Sequence, residues 1–122
     1  MLKLVFCLRR LPTLSREQFQ RYWWETHGPL VHRHAAALRI RRYVQTHTLE
    51  DPVQDALRAT RGGPEAYDGV AELWWDSRED LDAALADPAA QRAAAELLED
   101  ERRFIDLARS PLFVARERPV VS

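Results

Sequence analysis

The chain has 122 residues, a net charge of −1 and 46% hydrophobic residues, enough for one modest core and too short for two. That balance excludes a disordered tail and a general nucleic-acid binder. The lone Cys7 cannot close an internal disulfide, no basic-then-apolar leader opens the sequence, and no apolar run nears the roughly 18 residues of a membrane span. The expectation is a cytoplasmic domain without membrane or nucleic-acid partners.

MLKLVFCLRR sets Leu2, Leu4, Phe6 and Leu8 against Lys3, Val5, Cys7 and Arg9, the period-two alternation of a strand. Ser15-Arg16-Glu17-Gln18 is a capping box, and Phe19, Tyr22, Trp23 and Thr26 follow at helical spacing. His27-Gly28-Pro29 then interrupts the helix. Pro29 has no N–H, so the carbonyl of Glu25 loses its helical partner, and Gly28 lets the backbone yield. The helix is expected to kink or restart at His27, with Phe19, Trp23 and Leu30 inward and His27 at the edge of that face.

RIRRYVQTHTL, residues 39 to 49, reads as a second strand. EDPVQDALRATRGGPEAYDG reads as a long loop of the kind that serves as a lid or stays disordered. YDGVAELWWD, residues 67 to 76, is a third strand. Ser77 caps a further helix, Asp87-Pro88 restarts it, and its alanines run to Leu97 and Leu98. DERRFIDLARS is a turn or short helix, and PLFVARERPVV is the last strand.

The order βαββαβ predicts an α+β, ferredoxin-like single domain spanning 1–122, a four-stranded antiparallel sheet with helices on one face. Its strands are apolar on both faces: Leu73 and Trp75 alternate with Val70 and Trp74. The helix-free face needs a second sheet over it, and a twofold copy supplies one most economically, so a homodimer is expected.

LRRLPTLSREQFQRYWWETHGPLV, YDGVAELWWDSREDLDAALADP and FIDLARSPLFVARE resemble, in order, segments of the EthD family within the dimeric α/β-barrel superfamily. The resemblance covers most of the chain. It implies a homodimer whose two sheets form a barrel, with a cavity in each monomer between sheet and helices. Relatives in that superfamily include cofactor-free monooxygenases, lactone isomerases, polyketide cyclases, dehydratases and decarboxylases, and haem proteins, so the fold alone selects no reaction.

His27 is the first candidate catalytic residue, because imidazole exchanges protons near neutral pH; the alternative is that it caps freed carbonyls and holds the bend. Tyr43, Gln45 and His47 share a strand face, as a pocket wall or a partly solvated surface. Glu72, also a candidate ligand contact, interrupts an apolar strand and must find a partner or take up a proton: it could orient a histidine, act as a base, or pair with an arginine of the first or last strand, the ion pair being the plainer outcome. Tyr22, Trp23, Tyr67 and Trp74 are candidate ligand contacts, with core or dimer interface as the alternative for the tryptophans. Asp68 shapes the turn before Gly69. His32 and His34 lack a thiolate or carboxylate at ligand spacing, so no metal is expected; Arg58 and Arg61 could meet a ligand carboxylate or simply solvate.

These residues, with the resemblance, point to an enzyme that needs no cofactor. It would move a proton on a small, hydrophobic, oxygenated ring compound, polyketide-like or an aromatic β-keto compound, leading to cyclisation, dehydration or decarboxylation. His27 would be acid or base, with His47 and Tyr43 stabilising an enolate. The alternatives are an oxygenase or haem-associated protein with His27 or His47 on iron, and a small-molecule carrier without turnover in an oxidative degradation system.

Overall fold

Alternation in the opening residues produces β1, Leu2–Leu8, in a computed structural model that describes residues 1–122. The other strands are β2 (Arg42–His47), β3 (Gly69–Trp75) and β4 (Leu112–Ala115). They form one antiparallel sheet in the order β2-β3-β1-β4, the ferredoxin-like arrangement expected from the element order. Register is fixed by pairs such as Leu4↔Leu73 and Phe6↔Ala71. The even residues of β1 and the odd residues of β3 therefore share the face that packs on the helices.

The first helical segment runs as α1 (Arg16–Tyr22), a π turn (Trp23–His27) and α2 (Gly28–His34). Ser15 and Gln18 form the expected capping box: Gln18 N–H donates to Ser15 Oγ at 3.1 Å and Ser15 N–H to Gln18 Oε1 at 2.9 Å. The interruption at His27-Gly28-Pro29 is a widened turn in which Gly28 N–H reaches back five residues to the Trp23 carbonyl. One extra residue in that turn changes the inward set. Phe19, Trp23, His27 and Val31 are the buried residues, so His27 moves from the edge of the face to its centre. Leu30, expected inward on a plain helical wheel, yields that place to Val31.

Beyond α2 the backbone stops with Arg39 at φ +59°. Arg39 N–H donates to the Ala36 carbonyl and Ile40 N–H to that of Ala35, a Schellman closure in the position glycine usually takes. This is why β2 begins at Arg42 and not at residue 39. The expected long loop contains a helix, α3 (Val53–Ala59), which buries no residue; Pro52 supports its first turn, and Asp51 Oδ1 accepts the Val53 N–H at 2.9 Å. The last strand also stops early, at Ala115, with Pro119 unable to donate to a ladder.

Asp87 separates α4 (Arg78–Ala86) from α5 (Pro88–Glu101) and caps the latter. The buried face of α5 is Ala90, Ala93, Leu97 and Asp100. Three apolar residues, two of them alanines, lead directly to a buried acid. The core under α1 is Leu8, Phe19, Trp23, Ala71, Phe104 and Ile105. Gly69 belongs to it through its missing side chain: a Cβ there would sit 2.8 Å from Trp23 Cη2, and closer still to Cζ3.

Candidate active site

A cavity of about 530 Å³ lies between the sheet and the helices, and 21 of its 25 lining residues are hydrophobic. Leu4, Phe6, Leu73 and Trp75 form its sheet wall, and Leu81 and Leu97 face them from α4 and α5. Leu85, Leu98 and Leu112 also line it while remaining 64%, 41% and 58% exposed, which marks the mouth. Size and apolar lining suit a small organic ligand. His27, Tyr43 and Glu101 supply titratable groups to this wall.

His27 is held by Asp100. Its Nδ1 lies 2.8 Å from Asp100 Oδ2, with both side chains buried. Asp100 Oδ1 accepts from Tyr22 Oη at 2.5 Å and from Arg103 at 3.0 Å. Burial raises the cost of the Asp100 charge, but these donors outweigh it and hold the carboxyl below its ordinary range. An ionised carboxylate only accepts, so His27 carries its proton on Nδ1. Burial pushes the imidazole pKa down, against the pull of Asp100, so the ring is neutral near pH 7. Every side-chain nitrogen or oxygen sealed from solvent has a hydrogen-bond partner, and Nε2 has none. It therefore keeps accessible surface, and His27 is one of the residues that line the cavity.

Tyr43 is oriented through the π turn. The Trp23 carbonyl accepts Gln45 Nε2–H at 2.9 Å, and the same amide donates to Tyr43 Oη at 3.0 Å. A carbonyl only accepts, which fixes the Gln45 amide; His47 Nε2–H donates to its oxygen at 2.8 Å. Trp23 Nε1–H donates to Tyr43 Oη as well, at 3.2 Å. With two donors on its oxygen, the Tyr43 hydroxyl has only its own proton left to give. Burial raises its pKa to about 12, so it remains a donor. Gly28 keeps this path open, since a Cβ there would lie 3.3 Å from Gln45 Nε2.

His27, Tyr43 and Trp23 of the expected residues thus meet at the cavity. His47 stacks on Trp23 with ring centroids 4.5 Å apart and stands behind the wall, because the π turn lies over that end of β2. Tyr22 supports Asp100 and packs on Phe104. Tyr67 lies beneath the Arg9 guanidinium, away from the cavity. Glu72 and Trp74 occupy the helix-free face of the sheet. Glu72 pairs with Lys3 at 2.5 Å, and Trp74 lies between Lys3 and Arg42 and donates to Glu117 at 2.8 Å. VAELWW is apolar on both faces, so period two alone does not tell which face turns to the helices.

Asp68 is more than a turn former: it is buried and accepts from Arg10 at 2.6 Å and Arg16 at 3.0 Å. His34 pairs with Glu96, and Arg58 donates to the Gly63 carbonyl. Cys7 sits half-buried on the helix-free side. No three His, Cys, Asp or Glu side chains converge as metal ligands. Asp100 and Glu101 were hidden in the acidic run EDER, which reads as a solvated helix end. The available signal was the inward spacing Ala90, Ala93, Leu97, extended one step.

The molecule is a ferredoxin-like α+β domain with an apolar cavity on the helical side of its sheet. The family model described as the EthD domain matches residues 11–108, and the chain belongs to the EthD family. An ethyl tert-butyl ether D (EthD) family protein from Bacillus halodurans shares 19% identity at a TM-score of 0.63, covering 97% of this chain and 99% of that one. A dimeric protein of unknown function and ferredoxin-like fold from Bacteroides fragilis shares 9% at 0.59, covering 95% of each chain. SnoaB, a cofactor-independent oxygenase from Streptomyces nogalater, shares 14% at 0.52, covering 98% of this chain and 95% of its own. At such identities the likeness is one of fold. No curated protein matches the sequence.

Proposed function

We propose that this chain is a cofactor-independent enzyme that enolises a small, apolar, oxygenated ring compound, as a step toward cyclisation, dehydration or decarboxylation. The observation that carries this is His27: neutral through burial, tied at Nδ1 to Asp100, unpartnered and accessible at Nε2, and part of the lining of an apolar cavity. Nε2 takes the proton from a carbon next to a carbonyl. The C–H pair becomes the enolate π bond and the charge settles on oxygen, where the Tyr43 hydroxyl donates. Asp100 balances the imidazolium until the proton is returned. SnoaB, on a similar fold, supports chemistry without a cofactor; attack of such an enolate on oxygen is the second reading that it favours.

The helix-free face, with Val5, Val44, Val70 and Phe113 among its residues, is assigned in this reading to a second copy of the chain. The dimeric Bacteroides fragilis protein supports that assignment.

The direct test uses α-tetralone, a neutral bicyclic ketone, in D2O, followed by the proton NMR signal of its C2 hydrogens. Wild type exchanges them, and His27→Ala slows exchange by about 100-fold or more. Binding without exchange by either protein, repeated with aromatic β-keto compounds, would instead make the chain a carrier.

A further inference from the structure

Glu101 ends α5 on the cavity wall with no hydrogen-bond partner for its carboxyl. No sealed side-chain oxygen lacks a partner, so its oxygens also open onto space, and Glu101 lines the cavity. Asp100 and Arg102 flank it, Tyr43 is close enough to feel its charge, and His27 lines the same space. Neither Arg102 nor any other cation bonds to it, and the remaining lining is almost wholly apolar. An ionised carboxylate here would have neither water in plenty nor a counterion.

From this geometry we infer that Glu101 enters the cavity as a carboxylic acid and donates its proton as a hydrogen bond to a ligand carbonyl, making the site selective for uncharged ketones over carboxylates and over the corresponding hydrocarbons. Two donors, Glu101 and Tyr43, then converge on ligand oxygen, while the neutral His27 is the acceptor that addresses carbon. The enolising function proposed above requires a carbonyl ligand, and this assignment rests on that reading. Burial, helped by the neighbouring Asp100 charge, pushes the Glu101 pKa up to about 7. The acid is thus present through the lower half of the physiological range and is withdrawn above it.

The experiment compares the binding of α-tetralone and of tetralin, the same bicycle without oxygen, by quenching of tryptophan fluorescence between pH 5.5 and 9; Trp23 and Trp75 line the cavity. For wild type, preference for the ketone is constant below pH 7 and falls by up to about tenfold per pH unit above it. Glu101→Gln keeps a donor and makes the preference independent of pH; Glu101→Leu leaves only the smaller, pH-independent preference that Tyr43 supplies. A wild-type preference that does not change with pH, or a pH dependence surviving in Glu101→Gln, overturns the assignment. Failure of the enolisation reading shows separately, as absent deuterium exchange with the pH-dependent preference intact.

Discussion

Asp100 Oδ2 lies 2.8 Å from His27 Nδ1 across 73 residues of sequence, joining the last turn of α5 to the π turn of the first helical segment. Replacing that carboxylate tests more than packing. Asp100→Asn removes the attraction for the imidazolium, so the His27 pKa falls further below its ordinary value. In the pH–rate profile of deuterium exchange the acidic limb, where His27 becomes a free base, moves to lower pH, and the plateau drops by about 10²–10⁴-fold. A purely structural role would lower the plateau and leave the limb in place.

Glu101 also leaves a mark on stability without any ligand. Its folded pKa of about 7 stands above the ordinary glutamate value of 4.5. Between those pH values the folded chain keeps a proton that the unfolded chain releases. Stability present below pH 4.5 is therefore lost as pH rises toward 7, by at most about 3 kcal/mol. In urea titrations Glu101→Gln matches wild type at pH 4.5 and exceeds it at pH 8. Equal stability at both values would show that the carboxyl is not desolvated as described.

Gly69→Ala places a methyl group into the Trp23 ring. Leu8, Phe19 and Phe104 pack the core side of Trp23, so the ring can retreat only toward the cavity it lines. The expected loss is about 1–3 kcal/mol, read as a lower denaturation midpoint. Displacing the indole also loosens its bond to Tyr43, so exchange activity falls further than the loss of folded protein accounts for.

Phe113 is half exposed on the helix-free face, where it pairs with Val5. Phe113→Glu puts a charge into the proposed sheet-to-sheet contact at little cost to the monomer. In sedimentation velocity wild type runs as twice its 14.2 kDa chain mass, and the variant as a single chain. A wild type that sediments as a monomer would remove the dimer.

The strands were legible because alternation survives in single segments such as LKLVFCL, and the helix interruption because His27-Gly28-Pro29 breaks a local rule. Local patterns did not carry facing. Glu72 and Trp74 lie opposite the cavity because VAELWW has two apolar faces and only pairing with β1 selects one. The helix Val53–Ala59 buries nothing, so it has no hydrophobic periodicity to read. Asp100 and Glu101 were the deeper omission: an acid at a helix end looks solvated until the element above it is known. His27 could be named from neighbouring residues, whereas the groups that tune it come from the far end of the chain.

The π turn makes the first helical segment one residue too long for its own pattern. Removing a residue such as Glu25 would bring Phe19, Trp23, His27 and Val31 to spacings of four, three and four, the a/d stripe of an ordinary amphipathic helix. The same inward residues would then pack on a regular helix, yet the Trp23 carbonyl would return to a standard backbone bond and Gln45 would lose its anchor. In register, the π turn amounts to one residue added to a regular helix. The shortened chain should be the better folder and the poorer host for a ligand, the usual relation between regularity and use at such insertions.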